Sequence, residues 1–257
     1  MAANRKNHLG SAAAWPLAAR AQQPVQPVVG FLRDTSLADA THLIAAFGQG
    51  LKETGFIAGQ NVAIEYRSAE DQAHRLPAIV ADLVGRQAAV IVGNTPSALA
   101  AKSATTTVPI VFVTGGDPVM QGFVASLNRP GGNTTGVSFL TSASGTKRLE
   151  LLRQLMPKAA AIAMLVDVNP NLPQAESERR DVQAAANAIG QELMVVEAGS
   201  DRDIEAAFTT FTQRGAGALY VATGSFLHSH RRRIVALAAR IEFPRSMSCA
   251  SSSWPAA

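Results

Sequence analysis

The sequence predicts an α/β protein of two Rossmann-like lobes with parallel sheets, the second lobe incomplete. Three observations carry this. Short apolar runs alternate with amphipathic helical segments from residue 28 onward. Crossover segments of this length demand right-handed connections and parallel strands. Five strands precede one long helical segment and three follow it, which divides the chain into two units.

The elements read in order. VVGFL (28–32) is a short apolar run suited to a buried parallel strand. Leu43, Phe47 and Leu51 recur every four residues and share one helix face, which Gly55 ends. NVAIEY alternates Val62, Ile64 and Tyr66 as a strand, and Leu76, Ile79, Val80 and Leu83 mark the next helix. AAVIVG (88–93) is a strand, and NTPSALAAK opens a helix with Thr95 as N-cap and Pro96 in the first turn. PIVFVTGG is the fourth strand. Asp117-Pro118 repeats the cap-then-proline device and predicts a helix ending near Leu127. RPGGN makes a turn before the strand TGVSFL (135–140). A helix over 147–156 leads to the strand AIAMLVD (161–167), the loop NPNLPQ and a helix over about 175–189. ELMVVEA is a strand, Asp201 caps a helix through Phe211, GALYVATG (217–224) is the last strand, and a helix runs to about Arg240.

Composition bounds the function. The chain has 257 residues, of which 47% are hydrophobic and only 16% charged, so it can bury a large core and is not of the disordered class. The formal charge of +4 comes without a basic stripe interleaved with aromatics. Arg231, Arg232 and Arg233 read as a solvated helix face, and no nucleic-acid partner is expected. The single cysteine, Cys249, excludes an internal disulfide or a Cys-based metal site. No run of 18 apolar residues suggests a membrane-spanning helix. Arg5 and Lys6, a small-residue stretch and Ala19-Arg20-Ala21 make residues 1–21 resemble an exported leader, although His8, Gly10 and Ser11 interrupt its apolar middle.

Ligands of open parallel sheets collect at the carboxyl ends of the strands. Three loops of the first lobe stand there: Asp34-Thr35-Ser36, Asn94-Thr95-Pro96-Ser97, and Thr114-Gly115-Gly116-Asp117-Pro118. Helix N-termini with neighbouring hydroxyls suit a small anion such as an amino-acid carboxylate. Gly115 and Gly116 would let a ligand approach the backbone, and Asp34 or Asp117 could receive an ammonium group. The same residue types also serve as ordinary helix caps.

Enzyme signatures are missing from the sequence. GNTPSA and GGDPVMQG both miss the dinucleotide-binding spacing, there is no phosphate-binding P-loop, and GVSFL lacks the second glycine of a nucleophile elbow. His228 and His230 stand two apart, on different helix faces, and read as surface residues rather than metal ligands. No acid–base pair or activated nucleophile assembles, so neither catalysis, a cofactor nor a metal is expected.

The stretch TGGDPVMQGFVASLNRPGGNTTGVSFLT resembles a bacterial family of ABC-transporter substrate-binding proteins with the type I periplasmic binding fold, some of which bind tryptophan or tyrosine. AAFGQGLKETGFIAGQNVAIEYRSAE, LPAIVADLV, TPSALAAKSATTTVPIVF and KRLELLRQLMPKAAAIAMLVDVNPN extend the resemblance, which covers about 12–242. AAAWPLAARAQQP resembles the end of this family's signal peptide. The resemblance implies a periplasmic protein whose lobes (28–140 and 141–242) close on a small solute, amino-acid-like or aromatic, and deliver it to an inner-membrane ABC permease. It implies that the three loops line the cleft, joined by Asn169 and by Ser225 and Phe226 of the second lobe, with Phe226 either stacking on a ligand ring or filling the core. FPRSMSCASSSWPAA (243–257) departs from the family's Ile-Pro-Ala-Ile-Tyr-Glu strand, and a single-base deletion near codon 243 would produce such a tail. That reading leaves the second sheet short and predicts impaired closure. A ligand-sensing regulator lobe and an α/β enzyme without a recognisable motif are the alternatives.

Overall fold

The computed structural model describes residues 26–168 and 173–241, without the side chains of 142, 173 and 174. The expectations for 1–21, Asn169 and 243–257 lie outside the described residues. No helix among the described residues is long and apolar enough to cross a membrane.

The first lobe is a five-stranded parallel sheet in the order β2-β1-β3-β4-β5. Its strands are β1 (Val28–Arg33), β2 (Ala63–Ser68), β3 (Val90–Asn94), β4 (Ile110–Thr114) and β5 (Thr134–Ser138). Its helices are α1 (Thr41–Glu53), α2 (Leu76–Gly85) and α3 (Thr95–Ala104). Leu76, Val80 and Leu83 recur on one face of α2 and are buried against the sheet with Leu32, Ile91, Ile110 and Phe112. Small side chains, Ala98 and Ala101, let α3 sit close to β3, where a Cβ at Gly93 would stand 2.9 Å from that of Ser97. On the opposite face Phe31 packs between Phe47 of α1 and Tyr66 of β2, at 5.1 and 5.6 Å between ring centroids. The predicted α1 stripe of Leu43, Phe47 and Leu51 is only half-buried there.

The second lobe has the order β7-β6-β8, all parallel, with β6 (Ala161–Asp167), β7 (Glu192–Ala198) and β8 (Ala218–Val221). Every residue of β6 is buried, because helices cover both faces. Ile162, Met164 and Val166 meet α4 (Gly145–Leu155) and α5 (Pro173–Ala188). Ala161, Ala163 and Leu165 meet α6 (Asp201–Gln213), α7 (Ser225–Ser229) and α8 (Arg231–Ala238). The eight strands and their direction match the sequence reading.

Five local expectations are corrected. No helix follows Asp117-Pro118: Gly122 takes φ +72, which breaks the turn, and Phe123 drops into the core against Phe112 at 4.5 Å between centroids. Asn94, not Thr95, is the N-cap of α3, and Ser200, not Asp201, caps α6, accepting from the Asp203 N–H. The last helix is two, divided at His230. The arginine run is not simply a solvated face, since Arg233 pairs with Asp201 at 2.8 Å and Glu205 at 2.6 Å.

Candidate ligand-binding cleft

In a sheet of order 2-1-3-4-5 the connections leave β1 in opposite directions, opening a crevice between the carboxyl ends of β1 and β3. Asp34 follows β1, and Asn94 ends β3. In the second sheet the same reversal occurs between β6 and β8, whose ends carry Asp167 and the turn Thr223-Gly224-Ser225. The two crevices face each other. The Ser225 hydroxyl donates to Asp34 Oδ2 at 2.5 Å, bridging 191 residues of sequence and joining the lobes. The Asn94 amide donates to the other oxygen of Asp34, and the Ser97 hydroxyl donates to Asn94 Oδ1 at 2.8 Å.

A cavity of about 180 Å³ lies here, lined by Asp34, Asp71, Ala73, Asp167, Val168, Gly199 and Phe226. Three of its walls carry carboxylates. Asp34 is 4% exposed and Asp167 5% exposed, and Asp167 Oδ2 accepts from the Phe226 N–H at 3.1 Å. Asp71 sits in a loop where two successive non-glycine residues, Glu70 and Asp71, have φ of 50° and 61°. Such backbone is costly and concentrates where a site fixes its geometry. The Asp71 N–H donates to the Asp34 carbonyl at 2.9 Å, tying this loop to the end of β1. Desolvation, helped by Asp34, Asp39 and Glu70 and opposed by His230, raises the Asp71 carboxyl above the ordinary aspartate range. A larger depression of about 450 Å³, lined by Arg67, His74, Arg75, Ala78, Ile79 and Asp82, lies along α2 beside the end of the edge strand β2 and takes no residue from the second lobe. Asp82 already pairs with Arg86 at 2.9 Å there, so the interlobe cavity is the better candidate site.

The predicted site residues divide. Asp34, Asn94, Ser97, Ser225 and Phe226 converge at the interlobe seam. Phe226 is 7% exposed and packs on His230 at 4.1 Å, so it is both cavity wall and core. Gly115 also reaches the seam: a Cβ there would come within 3.1 Å of Thr223 Cγ2 from the other lobe. Thr35 is buried and accepts from Arg33 at 2.9 Å, while Ser36 takes the Ala38 N–H at 3.3 Å. Thr95 and Thr114 face inward and bond each other at 2.9 Å, and the Thr114 hydroxyl donates to Gln121 at 2.8 Å and accepts from the Gly116 N–H at 3.1 Å. Asp117 is exposed and caps its own turn, accepting from the N–H groups of Val119 and Met120. Sequence reasoning missed Asp71, Asp167, Val168 and Gly199. The position of Asp167 immediately before the β6 loop, the counterpart of Asp34 after β1, was the available signal.

His228 and His230 are not the surface residues expected. His228 is half-buried, and burial, with Arg231, Arg33 and His42 nearby, pushes it down to about 4. His230 Nδ1–H donates to the Phe226 carbonyl, 2.9 Å away, and its Nε2 lies 3.3 Å from Asp201. Among the described residues no group of three His, Cys, Asp or Glu side chains could hold a metal.

The loop carrying Thr223 and Ser225 is fixed from beneath. Glu178 of α5 has a fully buried side chain and accepts from Arg148 at 2.8 Å, Tyr220 at 2.5 Å and the Thr223 N–H at 2.9 Å. Desolvation and the adjacent Glu178 raise the Tyr220 phenol above its ordinary range, which keeps it a donor.

Comparison with known proteins agrees with this fold. Residues 29–252 match the family model described as ABC transporter substrate binding protein. A tyrosine-binding protein of Clostridioides difficile is 35% identical over 124 residues, which are 48% of this chain and 35% of that protein. The chain thus aligns with about a third of the length of that relative. A solved conserved domain protein of Vibrio cholerae superposes with a TM-score of 0.73 at 25% identity, covering 84% of this chain and 71% of that one. An ABC domain from Streptococcus pneumoniae, solved in complex with L-Trp, gives a TM-score of 0.69 at 23% identity over 83% of this chain and 70% of that one. The chain belongs to the ABC transporter substrate-binding protein family.

Proposed function

We propose that this protein binds a small amino-acid-like or aromatic solute between its lobes, outside the cytoplasm, and hands it to an ABC permease. The observation that carries this reading is the Asp34–Ser225 bond across the two facing strand-end crevices. In this closed arrangement the cavity of about 180 Å³ is smaller than the roughly 300 Å³ at which small-molecule pockets begin, so the lobes must part to admit a solute. A solute ammonium then takes the place of the Ser225 donor at Asp34 and gains Asp167 from the other wall. Phe226 and Val168 offer apolar surface to a ring or aliphatic chain. Closure follows if these contacts favour the closed state over the open one. No bond is made or broken in this function, and solute release at the permease needs only reopening.

The names of two relatives, one a tyrosine-binding protein and one holding L-Trp, support an aromatic amino acid as the first solute to test. Calorimetric titration with L-tyrosine, L-tryptophan, leucine and small aromatic acids tests the proposal. Saturation at one equivalent by at least one of them, lost in Asp34→Ala, is expected. Binding unaffected by Asp34→Ala would contradict the site, and no heat with any of them would contradict the solute class.

A further inference from the structure

Arg33 is the last residue of β1 and the immediate neighbour of Asp34. It is 8% exposed, yet the only hydrogen bond its guanidinium makes among the described residues is from Nη2 to the neutral Thr35 hydroxyl, at 2.9 Å. Its Nε is buried without a partner, and no carboxylate of the described residues lies within salt-bridge distance. A buried guanidinium left in this condition is expensive, since arginine does not shed its proton and a buried charge is ordinarily paired. Asp34, Asp39 and Asp71 act on it only at longer range, and burial is the largest influence on it. His42 at the start of α1 and His228 of the second lobe both feel its charge, so the group sits where the lobes meet.

We propose that Arg33 is a solute-binding residue whose buried guanidinium holds the carboxylate of the bound solute, while Asp34 holds its ammonium. The proposal rests on the solute reading above and narrows it to zwitterions. Arg33 does not line the closed cavity that Asp34 lines, so a zwitterion reaches both of these consecutive residues at the tip of β1 only as the lobes part to admit it. The guanidinium presents Nε–H and an Nη–H in parallel, the geometry that matches a carboxylate bidentately. The binding event then supplies the partner that Arg33 lacks in the free protein.

The test uses the full chain and three indole probes: L-tryptophan, tryptamine, which has no carboxylate, and indole-3-propionate, which has no amine. Wild type is expected to bind L-tryptophan at least about tenfold more tightly than tryptamine. Arg33→Gln should weaken L-tryptophan and indole-3-propionate by about tenfold to a hundredfold, the value of a charge-assisted bond, and leave tryptamine unchanged. Arg33→Lys should recover part of the loss. A second readout is the Arg33 Nε–H resonance in the wild-type protein, assigned by its loss in Arg33→Lys, which should shift with the two carboxylates and not with tryptamine. Discrimination that survives Arg33→Gln overturns the assignment, as does an Nε–H resonance unmoved by either carboxylate. An Nε–H shift with indole-3-propionate but no binding of L-tryptophan supports Arg33 as the anion anchor and removes the amino-acid solute class instead. L-tryptophan binding with a silent Arg33 does the reverse.

Discussion

Replacing Glu178 with alanine should damage the second lobe and the site together. The carboxylate is fully buried and serves three donors. Without it, the Tyr220 hydroxyl and the Thr223 N–H lose acceptors in a place where water does not reach easily. Each such orphan costs about 1–3 kcal/mol. Arg148 is 37% exposed and can rehydrate, so it adds little. The sum is roughly 3–5 kcal/mol, in line with the cost of breaking a buried ion pair from one side. For a chain of this size that lowers Tm by roughly 10–15 °C. Glu178→Gln keeps the shape and one acceptor and should cost about 1–2 kcal/mol. Urea unfolding followed by circular dichroism measures both. The Thr223–Ser225 turn hangs on this carboxylate, so Glu178→Gln should also weaken solute binding, although Glu178 does not line the cavity. A Glu178→Ala protein within about 1 kcal/mol of wild type would refute the reasoning, because the three bonds would then carry no weight.

Three further outcomes follow from the same structure. His228 is held at about 4 when folded, below its ordinary value of 6.5, so the unfolded chain binds the extra proton and stability falls as pH drops from about 6.5 towards 4. The gap corresponds to about 3 kcal/mol before solvent screening and about 1–2 after it; urea midpoints across that range should show the loss, and His228→Gln should flatten it. Leu83, fully buried between α2 and the sheet, should cost about 2–5 kcal/mol as Leu83→Ala, measured by thermal unfolding of the first lobe. Gly115→Val should obstruct lobe closure, because a Cβ already meets Thr141 Oγ1 at 2.5 Å and Thr223 Cγ2 at 3.1 Å; binding by calorimetry should weaken with the fold retained.

Much of this architecture is legible in the residues, for a physical reason. A parallel sheet buried on both faces writes each strand as an apolar run, and β6, buried throughout, is the plainest case. The rule that ligands gather at strand ends picked out Asp34 and Asn94, because both lie where the strand order reverses. What failed was decided at a distance. Val119–Leu127 has helical spacing, but Gly122 turns left-handed and burial of Phe123 on Phe112 overrides the local pattern. Thr95 and Thr114 look like free hydroxyls at helix starts, yet they spend themselves on each other, a pairing 19 residues apart that no local window reveals. Asp71 and Asp167 entered the cavity only when the two sheets were set face to face. The burial of His228 likewise depends on elements of both lobes.

Hydrogen–deuterium exchange with and without saturating L-tryptophan tests the central claim most directly. Protection should concentrate at 34–36, 71–73, 94–97, 167–168 and 223–226, segments of both lobes that gather at the interlobe seam. Protection confined to the Arg67–Asp82 depression along α2, or to one lobe alone, would contradict a solute held between the two sheets.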